Sequence, residues 1–137
     1  LDAFEQLDAP VLFPVHPRTK GMVRELRETH GYRNILFVEP MGYLDMLYFT
    51  KNAVKAVTDS GGLQKEAYIL GTPCVTVRDQ TEWVETLNGG HNILAKPDTA
   101  DILDKVRNTK ADEHNRPPYY GDGHAAEAIC AVLRGEK

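Results

Sequence analysis

Thr58-Asp59-Ser60-Gly61-Gly62-Leu63-Gln64-Lys65-Glu66-Ala67 decides how this chain is organised. An apolar run (Ala53, Val54, Ala56, Val57) precedes it and a helical pattern follows, with two adjacent glycines at the junction. The order is strand, turn, helix start. The first backbone N–H groups of such a helix lack intrahelical partners, and the positive end of the helix dipole adds to them, so the turn suits an anion. Glycine at 61 and 62 leaves a phosphate room to approach. Glycine also serves strand-to-helix turns for backbone reasons alone, so the motif by itself leaves both readings open.

Working outward, Leu63, Ala67 and Leu70 give the helix one apolar face, Gly71 caps it and Pro73 prevents continuation. Downstream, Cys74-Val75-Thr76-Val77 and Asn92-Ile93-Leu94-Ala95 read as strands. A short helix from Thr81 to Leu87 lies between them, stopped by Asn88-Gly89-Gly90. Thr99 is expected to cap a helix carrying Ile102, Leu103 and Val106. A polar, proline-containing loop from Lys110 to Tyr119 leads to a last helix with Ala125, Ala128, Ile129 and Val132 inward. Upstream, Leu1, Phe4 and Leu7 place residues 1–7 in a helix that nothing caps. Val11–Val15, Ile35–Val38 and Ala53–Val57 read as strands, separated by helices over Gly21–Thr29 and Tyr43–Asn52.

Strands thus recur at intervals of roughly 20 residues with a helix between each pair, the pattern of parallel βαβ units. Their continuous apolar character predicts cover on both faces. The expected fold is α/β, a doubly wound parallel layer, whose ligands sit beyond the carboxyl ends of the strands. His16, Met41-Gly42, Ser60-Gly61-Gly62 and the Arg78–Thr81 loop all fall at such ends.

The chain's 137 residues form one domain or part of one, long enough for a substantial core. A net charge of −4, with Lys and Arg scattered, argues against nucleic acid as a partner. No apolar run reaches membrane-spanning length and no signal peptide opens the chain, so a soluble cytoplasmic protein is expected. Cys74 and Cys130, far apart in apolar segments, are expected as buried free thiols, with a disulfide as the lesser alternative.

Ser60 can cap the helix or give its hydroxyl to a phosphate. Glu66, four residues after Gly62, shares its helix face and is reached over bare glycine; an acid there suits the two hydroxyls of a ribose. The alternative is an exposed helix glutamate. His16 ends a strand and precedes Pro17, placed to donate to a diphosphate or to serve only as a structural imidazole. Asp59 is expected to fix the turn backbone. His30, His91, His114 and His124 lack metal-ligand spacing and read as surface or turn residues. No cofactor and no metal is expected, and no nucleophile–base pair can be proposed from spacing.

Five segments together resemble the second domain of the non-hydrolysing UDP-N-acetylglucosamine 2-epimerases, in that family's order. They are Pro14-Val15-His16-Pro17, Glu39-Pro40-Met41-Gly42-Tyr43-Leu44-Asp45, Thr58–Ala67, Arg78-Asp79-Gln80-Thr81-Glu82-Trp83-Val84-Glu85 and Tyr120-Gly121-Asp122-Gly123. The resemblance implies a Rossmann-like layer, the second domain of a glycosyltransferase-B-type fold. It implies inversion at C2, UDP-GlcNAc to UDP-ManNAc, by elimination and re-addition of UDP, in the service of polysaccharide precursors.

Carried over by position, Ser60, Gly61 and Gly62 hold the UDP phosphates, Glu66 the ribose, and Met41 and Met46 pack on the uracil. His16 contacts the diphosphate and assists its departure. The partners implied are UDP-GlcNAc or UDP, the first domain of the same enzyme and, at full length, a second copy in a homodimer. Two departures stand out. Trp83 occupies a place where several bacterial members carry arginine. The family's His-Arg-Glu-Asn segment, its preceding central strand and its first domain, which bears the proton-moving carboxylates, are missing. The 137 residues are therefore expected to be a fragment incomplete at its N-terminus, unless Val11–Val15 pairs directly with Ala53–Val57. A non-catalytic nucleotide-sugar module and the donor half of a glycosyltransferase remain as alternatives.

Overall fold

Two parallel sheets carry the chain in a computed structural model that describes residues 1–112 and 114–136. Glu113, inside the expected Lys110–Tyr119 loop, and Lys137 lie outside the described residues. The first sheet pairs β1 (Val11–Pro14) with β2 (Ile35–Val38), Val11 opposite Ile35 and Pro14 opposite Val38. The second runs β3 (Ala56–Thr58), β4 (Cys74–Val77), β5 (Asn92–Ala95), with Ala56 opposite Cys74 and Cys74 opposite Asn92. Helices precede, join and follow the strands: α1 (Asp2–Glu5), α2 (Lys20–His30), α3 (Tyr43–Asn52), α4 (Gly61–Leu70), α5 (Thr99–Asn108) and α6 (Ala125–Leu133). The α/β class and the parallel strands match the sequence pattern.

The strands fall into two sheets. Among the described residues β1 pairs only with β2 and β3 only with β4, so no ladder joins the two sheets. Direct pairing of Val11–Val15 with Ala53–Val57 does not occur. The two sheets are tied through helices instead. Helix α1 packs on α5, where Arg107 Nη2 donates to the Gln6 carbonyl at 2.6 Å, and α3 packs on α4, where Thr72 Oγ1 donates to the Thr50 carbonyl at 2.7 Å.

Burial is deepest at β4, because α4 and α5 both pack against it. Cys74, Val75 and Thr76 are essentially solvent-free, with Ala56 and Ala67 alongside. Helix α4 buries Gln64, Ala67 and Tyr68, a stripe one residue round from the expected Leu63–Ala67–Leu70 face. Gly71 takes the left-handed cap expected of it, at φ 82°.

Several expectations shift. The third strand begins at Ala56, because Ala53 ends α3 and Val54 is 81% exposed. Thr81–Leu87 is not a helix; a 3-10 stretch runs Val84–Gly90 and breaks at Asn88 and Gly89. Asp98, whose side chain accepts the Asp101 N–H at 3.0 Å, caps α5 where Thr99 was expected to. Helix α6 buries none of its residues: Ile129 and Val132 face solvent at 59% and 75%, not inward. His91 is buried, its Nε2 bonded to the Asn115 carbonyl at 2.9 Å, and is no surface residue.

The thiols divide as well. Cys74 is buried, and its burial pushes the thiol up to about 11, whereas Cys130, expected buried, is exposed on α6. Only thiolates react with a disulfide reagent at a useful rate. Native protein at pH 8 should therefore show one fast thiol, abolished by Cys130→Ser, with the second released only on unfolding. Two fast thiols would contradict the packing of β4.

Candidate functional site

The turn between β3 and α4 is built from its own side chains. Thr58 Oγ1 accepts the Ser60 N–H at 2.9 Å, so Thr58, and not Asp59, fixes the turn. Ser60 sits in an extended conformation at the helix N-cap, its Oγ accepting the Leu63 N–H at a long 3.5 Å. The N–H groups of Gly61 and Gly62 have no acceptor among the described residues. Two free donors at the start of a ten-residue helix form an anion seat. Above Gly62 the nearest atom is Ser60 Oγ at 3.8 Å, so the approach to Glu66 is open.

Beneath the seat lies a buried polar network that periodicity did not reveal. Gln64, wholly buried, accepts from Thr81 Oγ1 at 2.6 Å and from Asn92 Nδ2 at 3.2 Å, and donates to the Ser60 carbonyl at 3.3 Å. Asn92 accepts from Thr76 Oγ1 at 2.7 Å and donates to Thr86 Oγ1 at 3.0 Å. Thr81 Oγ1 in turn accepts the Trp83 N–H at 3.1 Å. The network ties the Ser60 turn, β4, β5 and the Thr81–Thr86 segment into one unit. A satisfied buried network rigidifies what it joins. The available signals were a glutamine on an otherwise apolar helix face and an asparagine opening an apolar strand.

Over the seat stand three side chains from the Arg78–Glu85 segment and one from α4. A side chain at Gly61 would run into a carboxylate oxygen of Glu82, with Trp83 Nε1 3.3 Å from the same point. The other Glu82 oxygen takes Arg78 Nη1 at 2.9 Å. Lys65 Nζ lies 4.1 Å over the Trp83 ring, a cation–π contact, so a positive charge stands on the tryptophan face. Tyr120 closes the group, edge-on to Trp83 at 6.2 Å. Its hydroxyl donates to Glu85 at 2.8 Å, and burial and that carboxylate push it far above the usual phenol range. Three of the five segments, Thr58–Ala67, Arg78–Glu85 and Tyr120–Gly123, therefore meet.

The other two lie on the first sheet. His16 is exposed beyond β1, its Nδ1 accepting the Arg18 N–H at 3.2 Å. In the neutral ring that contact places the proton on Nε2, free to donate. Met41 precedes α3 and Met46 lies on it, both half-buried, and α3 packs on α4. Among the described residues no hydrogen bond joins His16 to the Ser60–Gly62 turn. No group of three His, Cys, Asp or Glu side chains that could hold a metal occurs among them, and no helix is long and apolar enough to cross a membrane.

Parallel strands joined by helices, with two free N–H groups at a strand-to-helix turn, define an α/β class of domain. The sequence model of the UDP-N-acetylglucosamine 2-epimerases matches residues 1–134, and the chain belongs to that family. It is 43% identical over 134 residues to a UDP-N-acetylglucosamine 2-epimerase of Methanococcus maripaludis, covering 93% of this chain and 36% of the relative. It is 39% identical over 127 residues to the UDP-2,3-diacetamido-2,3-dideoxy-D-glucuronate 2-epimerase of Pseudomonas aeruginosa, covering 91% and 35%.

The fold superposes, with TM-score 0.83 and 36% identity, on the crystal structure of Methanocaldococcus jannaschii UDP-GlcNAc 2-epimerase in complex with UDP-GlcNAc and UDP. The match covers 98% of this chain and 38% of that one. The chain thus spans less than two fifths of the length of these relatives, and its structural neighbours carry the glycosyltransferase-B-type architecture.

Proposed function

We propose that this chain supplies the UDP-binding half of a UDP-GlcNAc 2-epimerase. The observation that carries the proposal is the pair of free N–H groups at Gly61 and Gly62, on a segment whose relatives include an epimerase crystallised with UDP-GlcNAc and UDP. Ser60, Gly61 and Gly62 hold the diphosphate. Glu66 takes the ribose hydroxyls across Gly62. Met41 and Met46 pack on the uracil. His16, with its proton on Nε2, donates a hydrogen bond to the diphosphate and stabilises the charge developing on UDP as the C1–O bond breaks. The proton steps at C2 belong to carboxylates of a first domain joined to this one.

The half of the substrate held here is the part that leaves. A relative that acts on a diacetamido-glucuronate shares this half at 39% identity, which fits a segment that reads UDP and leaves the sugar to other residues. The proposal extends, on family resemblance, to a cytoplasmic homodimer serving polysaccharide precursors.

The reaction is tested in the full-length protein by NMR with UDP-GlcNAc in heavy water. Deuterium at C2 with conversion to the manno epimer is expected; free ManNAc and UDP would place the protein in a hydrolysing class instead. The site is tested by calorimetric titration of UDP. Ser60→Ala and Glu66→Ala should each weaken UDP by about five- to tenfold, the loss of one polar contact or one charged one. Unchanged affinity in both would remove these residues from the site.

A further inference from the structure

We infer that Glu82 stands beside the Gly61 N–H seat and holds Arg78 in reserve, so that an incoming diphosphate displaces the carboxylate and takes over the guanidinium. This rests on the UDP reading and adds to it a binding residue, Arg78, and the group it exchanges.

The geometry divides the Glu82 carboxylate between two tasks. One oxygen stands in the space that a Gly61 side chain would fill, beside the anion seat. The other accepts from Arg78 Nη1 at 2.9 Å. Neither takes an N–H from Gly61 or Gly62, so the carboxylate blocks the seat without being captured by it. The pair is also loosely held: its side chains are 37% and 49% exposed, and ion pairs of that exposure are readily exchanged.

A second feature points to a ligand at the same place. Trp83 Nε1 is buried and without a hydrogen-bond partner among the described residues, 3.3 Å from that same Gly61 position. A buried donor left unmade is costly, and a carboxylate held by Arg78 does not satisfy it. A diphosphate oxygen seated over Gly61 has lone pairs to offer both this N–H and the arginine. Arg78 also flanks a shallow open depression of about 390 Å³, lined by Val77, Asp79, Gln80 and Pro97 at the carboxyl end of β4. Guanidinium binds phosphate and carboxylate with the same forked geometry, so one partner can replace the other without rebuilding the arginine.

The test is a double-mutant cycle read by calorimetry with UDP and with uridine, circular dichroism confirming the fold of each variant. Glu82→Gln, isosteric and uncharged, is expected to tighten UDP by about two- to fivefold, the worth of an exposed ion pair, and to leave uridine unmoved. Arg78→Gln is expected to weaken UDP by about tenfold, as for a charged hydrogen bond, again sparing uridine. In the Arg78→Gln background the gain from Glu82→Gln should vanish.

A gain of equal size in both backgrounds would make Glu82 a bystander charge and overturn the exchange, as would no gain at all. If the wild type and Glu82→Gln both fail to bind UDP, the UDP reading falls and this inference with it. If the wild type binds UDP but the cycle shows no coupling, only this inference falls.

Discussion

Gln64→Leu is expected to cost the fold about 3 kcal/mol, the sum of three buried hydrogen bonds at about 1 kcal/mol each. Leucine matches glutamine closely in volume, so the cavity contribution is small and the loss is polar. Thr81 Oγ1 loses its acceptor, Asn92 Nδ2 keeps only Thr86, and the Ser60 carbonyl keeps only the Gln64 N–H. Because these partners sit on three different segments, the loss propagates. Ser60 and the Thr81–Trp83 segment are both fastened through Gln64, so UDP affinity should fall with stability. Urea unfolding monitored by Trp83 fluorescence measures the first effect and titration the second. A loss below about 1 kcal/mol would mean that the network is not cooperative. Asn92→Leu alone and combined with Gln64→Leu should be clearly non-additive, since the two side chains share one hydrogen bond.

This residue also marks where a reading of the sequence ran out. Ile35–Val38, Cys74–Val77 and Asn92–Ala95 lie where their apolar runs place them, because turn residues bound each run on both sides. Ala53–Val57 misled, because its apolar run includes the link out of α3. What starts the strand is ladder pairing of Ala56 with Cys74, a partner 18 positions away that local pattern cannot register. The Ser60-Gly61-Gly62 seat was legible for the opposite reason: it is made of backbone, and glycine at a helix start reports backbone directly.

Gln64 and Asn92 were not legible. Apolar periodicity assigns polar side chains to the surface, and their burial depends on hydroxyls supplied by β4 and the Thr81–Thr86 segment. Helix α6 fails in the other direction: its apolar side chains were expected inward, yet nothing among the described residues covers them. Sequence pattern says that a face is apolar and does not say what lies against it.

Gly61→Ala is expected to abolish most UDP binding, about a hundredfold loss, while leaving stability unchanged or slightly raised. Position 61 is helical with no positive φ, so alanine brings no backbone strain, and alanine is the better helix former by up to about 1 kcal/mol. The new methyl meets the end of a half-exposed glutamate, Glu82, which can move aside at little cost, and comes to 3.3 Å from Trp83 Nε1, which must give slightly. A phosphate has no such freedom. It must come within hydrogen-bond distance of the Gly61 and Gly62 N–H groups, and the methyl stands in that path. Losing two charge-assisted hydrogen bonds at about 1.5 kcal/mol each accounts for the size of the effect.

Gly62→Ala separates the two halves of the site. Its methyl would meet little beyond Ser60 Oγ, yet it crosses the approach to Glu66 and should weaken uridine as well as UDP. Gly61→Ala should weaken UDP and spare uridine. Uridine affinity falling with Gly61→Ala, or surviving Gly62→Ala while UDP binding is lost, would exchange the assignments of phosphate and ribose along this helix. Full UDP affinity in both variants would move the diphosphate away from the turn altogether.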